Sequence, residues 1–562
     1  WIAEFNLLRR HLFGFSGHIL LEYAIPRMGR RADAVLLLPR FVVVLEFKVG
    51  QATYSPDGLD QVFDYALDLK NFHEGSHEKW VVPILVATEA PEQSSTFRRF
   101  EDGLFAPARA NAANLAAVLR EAAITSHEAP PVDVAAWLNA GYRPTPTIVE
   151  AAQALYRGHN VVEIARSEAG AENLTRTAET IAGIANRSRE QGIKSICFVT
   201  GVPGAGKTLA GLNIANSWHD PESGEHAVFL SGNGPLVEVL REALIRDDVQ
   251  RASAAGGKRT RSASQSRVKA FVQNVHHFRD EALATFDPPV ERVVVFDEAQ
   301  RAWDAAQTAR FMKSRKGVFD FELSEPELLI SYMDRHTGWA TIVCLVGDGQ
   351  EINTGEAGVA EWVRAISARF GHWHVFAPGA LLESTREEEP TTNALSHPSH
   401  LFPTEHLHLA TSVRSFRAEM VSEFVKELLD CNQALAKSIL EKALQTFPIC
   451  LTRDIDAAKT WLRNRARGTE RFGIVASSEA YRLRPFGIHV KAEIDPKNWF
   501  LDGKADVRSS FYLEDVATEF QVQGLELDWV GVAWDADFRF AGDDWGYFSF
   551  RGSRWQRIAS EE

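Results

Sequence analysis

The sequence predicts an α/β protein built from several domains. Short apolar stretches alternate with helix-like segments, a glycine-rich turn joins one such stretch to a helix, and other apolar stretches end in carboxylates. The 562 residues, 45% hydrophobic and 24% charged, are enough for about three or four packed domains. A chain of this length and composition therefore folds around more than one apolar core.

The glycine-rich turn spans residues 201–208 and reads Gly-Val-Pro-Gly-Ala-Gly-Lys-Thr. It follows the apolar run 196–199 and precedes the helix-like residues 209–212. Glycines let the backbone curl so that N–H groups point at phosphate oxygens, while Lys207 neutralises phosphate charge and Thr208 offers its hydroxyl to Mg²⁺. The motif predicts an ATP-binding site that includes Gly201, Pro203, Gly204, Ala205, Gly206, Lys207 and Thr208.

A second apolar strand, residues 293–297, ends in the acids Asp297 and Glu298. Asp297 is predicted to hold Mg²⁺ and Glu298 to polarise the attacking water, because phosphoryl transfer depends on positioning and charge neutralisation. Acidic strand ends are also common as solvated surface. The phosphate-binding turn upstream favours the catalytic interpretation.

A third strand, beginning at Val343, ends in Gly347-Asp348-Gly349-Gln350, where Gln350 is placed to sense the nucleotide state. The ordered set resembles superfamily 1 helicases: 297–300 looks like motif II, 347–350 like motif III, 412–415 like motif IV, and 518–526 like motif V of the Rep/UvrD-like branch. More closely, residues 198–212 with 523–528 resemble the Schlafen group 3-type ATPase/helicase domain.

This resemblance implies two RecA-like lobes, at residues 173–382 and 399–562, with Gly524 and Glu526 contacting the nucleotide. It makes Arg414 the candidate arginine finger, while a surface arginine at a helix start stays the alternative. No segment like motif VI follows Asp528, and the chain starts at Trp1 without a methionine. We therefore expect a fragment, or a sequence that lacks segments.

The N-terminal region places Asp33 on one extended stretch, 31–38, and Glu46 and Lys48 on the next, 41–48. Residues two apart on a strand face the same side, so Glu46 and Lys48 project together. Two carboxylates, with the Phe47 carbonyl, can hold a divalent cation, and a nearby lysine can orient or deprotonate the attacking water. An exposed strand face is the alternative. The pattern resembles the PD-(D/E)xK nuclease core.

The surrounding order supports this resemblance, with a strand at 20–25, a helix at 59–69 and a buried strand at 80–86. Gln61 and Tyr65 share one helix face, as in the RecB-like and λ-exonuclease-like branch, and Glu4 is a weaker candidate acid. The resemblance implies a restriction-endonuclease-like nuclease domain at residues 1–125 that uses Mg²⁺ or Mn²⁺. A linker or helical connector is predicted at 126–172.

Composition adds four constraints. The net charge of −14 argues against nucleic acid covering the whole surface, although the basic segment 251–269 either contacts phosphates or forms a solvated mobile loop. Four scattered cysteines without a CxxC pair favour a reducing, cytoplasmic location. Cys197 and Cys344 are predicted to lie in the core. No apolar run is long enough to cross a membrane.

The sequence thus predicts an ATP-dependent nuclease–helicase acting on nucleic acid, with DNA favoured over RNA. Bacterial proteins with such a pairing resemble repair and antiphage-defence effectors, which implies a role of that kind. Two alternatives stay open: a nucleotide-gated binding switch that does not unwind, and an N-terminal module that binds without cutting. A protein partner or a homo-oligomer also stays open.

Overall fold

The structure is a computed structural model that describes residues 2–25, 30–93, 97–141, 147–157, 168–202, 204–218, 226–254, 256–257, 259–316, 321–347, 358–381, 400–410, 416–444, 447–542 and 544–558. The predicted site residues Pro203, Gln350 and Arg414 lie outside these ranges, as does the motif IV-like segment 412–415. The chain divides into a first unit, Trp1–Pro146 with Ala458–Phe472 and Leu527–Trp529, and a second unit, Thr147–Ala457 with Gly473–Glu526 and Val530–Glu562.

The first unit is built on one mixed sheet. Its strands are β1 His18–Ile25, β2 Arg30–Leu37, β3 Phe41–Lys48, β4 Trp80–Ala87 and β5 Ala108–Ala110, neighbours in that order. The pairs β1–β2 and β2–β3 are antiparallel, whereas β3–β4 and β4–β5 are parallel. The helices of the N-terminal segment are α1 Ile2–His11, α2 Pro56–Phe72, α3 Leu115–Thr125 and α4 Val134–Leu138.

Both faces of this sheet are covered, which explains why β3 and β4 read as continuous apolar runs. Leu8 of α1 and Leu119 of α3 pack in the core on one face, and Val62 of α2 packs in the core on the other. Helix α2 begins sharply because the Ser55 hydroxyl accepts the Gly58 N–H and a proline occupies the first turn. The strands and the helix predicted in this region are confirmed.

The predicted connector begins with residues that pack in the first unit. Trp137 of α4 is buried, and its indole N–H donates to the Ser76 hydroxyl at 2.9 Å. Lys79 donates to the Pro131 carbonyl at 2.7 Å. Residues 131–138 are thus part of the first unit's apolar and polar packing.

The main sheet of the second unit is parallel. Its strands are β6 Lys194–Gly201, β7 Ala227–Ser231, β8 Val272–Asn274, β9 Val293–Asp297, β10 Ala340–Leu345, β11 His374–Ala377, β12 Leu401–Pro403 and β13 His408–Leu409. The order is β12-β11-β6-β10-β9-β7-β8, and β13 pairs with the end of β6. Parallel pairing brings the carboxyl ends of β6, β9 and β10 to the same edge.

Helices cover both faces of this sheet, with two apolar cores between the layers. Cys197 lies in one core and Cys344 in the other, so the predicted burial of both is confirmed. The helices are α5 Ile148–Tyr156, α6 Glu168–Gln191, α7 Lys207–Ser217, α8 Gly234–Ala254, α9 Arg261–Phe271, α10 Val275–Ala284, α11 Ala305–Phe311, α12 Glu325–Asp334 and α13 Gly358–Arg369.

The later part of the chain carries two small sheets. Its elements are α14 Phe416–Leu429, α15 Gln433–Ala443, α16 Ile455–Arg465, β14 Phe472–Ala476, α17 Pro496–Leu501, β15 Val516–Thr518, α18 Glu519–Val522, β16 Trp529–Ala533, β17 Phe538–Ala541, β18 Asp544–Arg551 and β19 Arg554–Arg557. One sheet has the order β15-β14-β16, and the other is the antiparallel β17-β18-β19.

The chain is therefore an α/β protein with parallel sheets, as predicted. Its assignment to a restriction-endonuclease-like core and two RecA-like lobes, and the predicted domain boundaries, stay predictions. No helix among the described residues is both long and apolar enough to span a membrane.

Much of the basic segment 251–269 is helical. Thr260 caps α9, and its hydroxyl accepts the Ala263 N–H. Asp248, which is buried on α8, forms ion pairs with Arg251, Arg259 and Arg267, while Arg261 pairs with Glu242. The interpretation as a mobile loop is wrong for residues 251–254, which end α8, and for residues 261–269, which lie in α9. The charge of these arginines is compensated internally, which weakens the phosphate-contact interpretation.

Candidate functional site

The glycine-rich turn links β6 to α7 and forms the first candidate site. Gly204 and Gly206 have φ angles of 76° and 82°, a left-handed conformation that favours glycine, and Gly206 is the N-terminal cap of α7. The turn therefore presents backbone N–H groups at the start of a helix, where anions bind well. The Lys207 ammonium lies over the turn and donates to the Gly201 carbonyl at 2.6 Å.

Thr208 and Asp297 come together beside this turn. The Thr208 hydroxyl lies 3.3 and 3.4 Å from the two carboxylate oxygens of Asp297, which ends β9. Burial, and then the charge of Glu298, raise the pKa of Asp297 to about 7, against the lowering effect of Thr208 and Lys207. A buried carboxylate beside a hydroxyl suits Mg²⁺, because a bound cation would offset the cost of ionising Asp297.

Glu298 is held in an unusual backbone conformation next to a glutamine that links two strand ends. Its φ of 54° and ψ of 46° are left-handed, which is uncommon for a residue with a side chain. The buried Gln300 donates from Nε2 to the Glu298 carboxylate and accepts the Gly347 N–H at 2.9 Å. Gln300 thus ties the candidate catalytic acid to the segment that follows β10. Gln300 belongs to the motif II-like residues 297–300, but the sequence pattern alone does not indicate this contact.

Replacing Gly347 with alanine is expected to disturb this link. The new methyl would stand 2.9 Å from Gln300 Nε2 and 3.3 Å from the Glu298 carboxylate, so one of these groups must move. Misplacing the catalytic acid should lower ATP turnover by about 10- to 100-fold, with ATP binding retained. The control is Gly183→Ala in α6, where a methyl meets nothing within 4 Å. Equal turnover of the two variants in a steady-state assay would contradict the role of the link.

The motif V-like residues lie in the second unit, against the loop after β7. Gly524 has a φ of 76°, and Asn233 donates to the Gln523 carbonyl at 2.6 Å. The Glu526 carboxylate accepts the Ile148 N–H at 2.9 Å, at the first turn of α5. Glu526 thus accepts a hydrogen bond from an N–H group that has no partner within its own helix. The contacts of Gly524 and Glu526 with nucleotide stay predictions.

The second candidate site lies in the first unit and includes a continuous chain of side-chain hydrogen bonds. The Lys48 ammonium donates to Glu46 at 3.0 Å and to the Gln61 carbonyl oxygen at 2.8 Å. The Gln61 amide in turn donates to the Tyr65 hydroxyl at 2.9 Å. Strand β3 positions the first two residues, and one face of α2 positions the other two. The structure therefore brings together four of the residues that the sequence singled out.

The two carboxylates of this site lie on adjacent strands. One Asp33 oxygen accepts the Phe47 N–H at 2.6 Å, which fixes the carboxylate beside β3. Burial, and then the charge of Asp33, raise the pKa of Glu46 to about 7, although the hydrogen bond and charge of Lys48 lower it. Burial also raises the pKa of Asp33, against the Phe47 N–H and Lys48. Glu46 is 5% exposed, and its Oε2 atom has no hydrogen-bond partner within the part of the chain that the structure describes.

These residues fit a divalent cation. The unsatisfied Glu46 oxygen and the elevated pKa values are what a bound cation would relieve, and carboxylate oxygens are its preferred ligands. A small open depression adjoins the site and is lined by Glu4, Phe5, Leu8, Leu21, Asp33 and Phe47. No group of three or more acidic, histidine or cysteine side chains suited to a metal occurs in the described ranges. The site therefore rests on two carboxylates with backbone and solvent ligands.

Without a bound cation, Glu46 should make stability depend on pH. Its pKa rises from 4.5 to about 7 on folding, so the folded chain binds the proton more tightly. The free energy of unfolding therefore falls as pH rises through this window, by at most about 3 kcal/mol, and stays lowered above about pH 7. Glu46→Gln cannot ionise and lacks this fall.

Urea unfolding of both proteins with a chelator, at about pH 5 and about pH 8, measures the effect. The free energy of unfolding of Glu46→Gln, minus that of the wild type, should be more positive at about pH 8 than at about pH 5. The titration of Asp297 occurs in both proteins and cancels in the difference. An advantage that is the same at both pH values would show that the Glu46 carboxyl is not held in its buried, proton-binding state.

The geometry of the glycine turn and of Asp297 and Glu298 indicates the class of protein. A glycine turn between a parallel strand and a helix, with an Asp-Glu pair ending another strand of that sheet, is the arrangement of P-loop α/β proteins. Residues 194–562 match the protein-family model described as Schlafen group 3, DNA/RNA helicase domain. Because this match spans well over half of the chain, the protein belongs to that family. Comparison with curated proteins gave no match.

The family match confirms the helicase part of the predicted resemblance. It begins at residue 194, within β6, and includes both Lys207 and Glu298. Membership makes the chain a helicase-domain protein and indicates a nucleic-acid-related helicase or ATPase function. The assignment of residues 1–125 as a PD-(D/E)xK nuclease, by contrast, stays a prediction.

Proposed function

We propose that the protein is an ATP-dependent enzyme acting on nucleic acid, with a nucleotide-driven motor in the second unit and metal-dependent phosphodiester cleavage in the first. The observation that carries the motor is the phosphate-binding turn beside Asp297 and Glu298 in a chain of the Schlafen group 3 helicase family. DNA is the favoured substrate, although the family description names both DNA and RNA.

In the motor, the turn at 204–208 would hold the phosphates of ATP through its backbone N–H groups, and Lys207 would neutralise their charge. Thr208 and Asp297 would hold Mg²⁺, which supplies charge stabilisation to the transferred phosphoryl group when bound. Glu298 would orient the attacking water and accept its proton. Gln300 fixes the carboxylate of Glu298 and so links hydrolysis to the segment after β10.

In the first unit, Asp33, Glu46 and the Phe47 carbonyl would hold Mg²⁺ or Mn²⁺, which lowers the pKa of water when bound. Lys48 would orient that water toward the scissile phosphate. Gln61 accepts a second hydrogen bond from the Lys48 ammonium beside that to Glu46, and Tyr65 accepts one from the Gln61 amide. This chain of contacts explains why a glutamine and a tyrosine one helical turn apart belong with the metal ligands.

Strand displacement and cleavage of labelled substrates test the proposal. Single- and double-stranded DNA and RNA are incubated with the full chain, with and without ATP and with Mg²⁺ or Mn²⁺. ATP-dependent displacement with metal-dependent cutting is the expected result. ATP hydrolysis without strand displacement would indicate a nucleotide-gated switch rather than a motor. Nucleic-acid binding without cutting would indicate that the first unit is a binding module rather than a nuclease.

A further inference from the structure

The antiparallel sheet β17-β18-β19 exposes an unusual number of aromatic rings. Trp534, Phe540 and Tyr547 are 55%, 56% and 55% exposed, which is high for side chains of this size. Phe538 and Trp545 lie between them and are partly buried. We call these five residues the aromatic face.

The strand register places these rings on one side of the sheet. Phe538 pairs with Tyr547 and Phe540 with Trp545, and residues opposite each other on neighbouring strands share a face. The Phe538 and Trp545 rings stack at 4.7 Å with 15° between their planes. Trp534 lies 6.1 Å from Trp545, measured between ring centroids. The rings therefore form one continuous surface.

Hydrogen bonds hold two of the rings in place. The Trp534 indole N–H donates to the Phe538 carbonyl at 2.6 Å, and that of Trp545 donates to the Leu428 carbonyl at 3.3 Å. Because both indole donors are satisfied by the protein, a partner would contact the exposed parts of the rings, above all of Trp534, rather than their N–H groups. A surface with fixed rings binds a planar partner at low entropic cost.

Two arginines extend the same side of the sheet. Arg551 follows Tyr547 by four residues on β18, so it shares that side, and it pairs across the strands with Arg554 of β19. Both are exposed, and neither has an ion-pair partner among the described residues. Like charges directly opposite each other are unfavourable unless an anion lies near them. On this side, the described strand positions of the sheet carry no acid.

The other side of the sheet differs. Phe548 and Trp555 are partly covered by Arg539, whose guanidinium lies 3.8 and 5.3 Å from their ring centroids. Arg482 also lies over Trp555 at 5.2 Å. Phe548 and Trp555 are thus covered by the chain's own cations, whereas no described arginine or lysine lies over the rings of the aromatic face.

We propose that the aromatic face, with Arg551 and Arg554, is a binding surface for single-stranded nucleic acid. Bases of any sequence can stack on exposed aromatic rings. The two arginines, which have no ion-pair partner among the described residues, can bind the neighbouring phosphates. Single strands suit the surface because their bases are free to stack, whereas those of a duplex are already stacked. The inference rests on the proposed nucleic-acid function and gives it a contact surface distinct from the nucleotide-binding turn.

Fluorescence anisotropy with labelled dT and rU 20-mers tests this surface, without ATP and with a chelator to prevent cleavage. Phe540→Ala/Tyr547→Ala should weaken binding by about 5- to 100-fold, and Tyr547→Phe should not, since the ring is retained. Arg554→Gln should weaken binding and reduce the slope of log affinity against log salt by about 0.7. The dT and rU arms show whether the surface binds the DNA or the RNA homopolymer more tightly.

Arg557→Gln is the matched control. Arg557 is also exposed and lies three residues from Arg554 on β19, but it pairs with Phe548 on the other side of the sheet. Arg557→Gln should leave affinity and salt slope near the wild-type values. Substitution of exposed arginines without partners should also preserve the fold, so Arg554→Gln keeps the test valid if the aromatic double variant unfolds.

Equal affinity of Arg554→Gln and wild type, or equal losses in Arg554→Gln and Arg557→Gln, would overturn the inference. So would a change in oligomeric state of the ring variants by sedimentation without a change in binding, because the face would then join copies of the chain. ATP turnover in the absence of nucleic acid should be unchanged in all these variants. If the wild type shows no ATP turnover, the result would count against the proposed motor and not against this binding surface.

Discussion

Glu298→Gln is expected to reduce ATP turnover by about 100- to 10,000-fold, the range for losing a general base, while ATP still binds. The amide keeps the size of the side chain but cannot accept the proton of the attacking water. Lys207→Ala, by contrast, removes the ammonium group that is proposed to hold the phosphates. This variant should lose both ATP turnover and ATP binding. Steady-state phosphate release and binding of a fluorescent ATP analogue measure the two effects separately.

The control for this pair is Glu441→Gln, on the exposed surface of α15, which should behave as wild type. The contrast between binding and turnover is the informative result, because general misfolding would remove both activities in both variants. Near-normal turnover of Glu298→Gln would show that another group positions the water. The left-handed backbone of Glu298 would then need a different explanation.

Cleavage should vanish in Asp33→Ala and in Glu46→Ala, while ATP turnover persists in the same proteins. Each change removes one of the two carboxylates that the site offers to a cation. Lys48→Ala should retain Mn²⁺ binding but cut about 100-fold more slowly or worse, because the role proposed for the lysine is to orient the attacking water and not to bind the metal. Divalent-dependent nicking of plasmid and linear DNA, with Mn²⁺ binding by calorimetry, distinguishes the two outcomes.

Glu121→Gln, on the exposed side of α3, is the matched control and should cut like the wild type. Equal cutting by wild type and Asp33→Ala would mean a contaminating nuclease or a different site. Loss of Mn²⁺ binding in Lys48→Ala would show that the lysine supports the carboxylates rather than the water. A wild type that binds Mn²⁺ but does not cut would leave the first unit as a binding module.

The sequence predicted those features that depend on local spacing. The strand pair at 30–48 and the Gln61–Tyr65 pair follow from alternation on a strand and from the helical repeat. The glycine turn is likewise read from neighbouring residues. In each case the contacts join residues that one element or one short turn positions.

Features that depend on folding across long distances were not predicted. The link from Glu298 through Gln300 to Gly347 requires β9 and β10 to lie side by side, which no spacing reveals. The compensation of the basic segment depends on how α8 and α9 pack, because Arg267 meets Asp248 only through that packing. The aromatic face depends on the register of three strands that sequence inspection did not identify.

The decisive measurement for an ATP-dependent enzyme acting on nucleic acid is the dependence of ATP turnover by the wild-type chain on nucleic acid. Steady-state hydrolysis is measured in Mg²⁺ with and without single-stranded DNA or RNA, with Glu298→Gln as the background. We expect turnover that rises with nucleic acid to a plateau and is absent in Glu298→Gln. Turnover that is unchanged by any nucleic acid, or equal in wild type and Glu298→Gln, would contradict it.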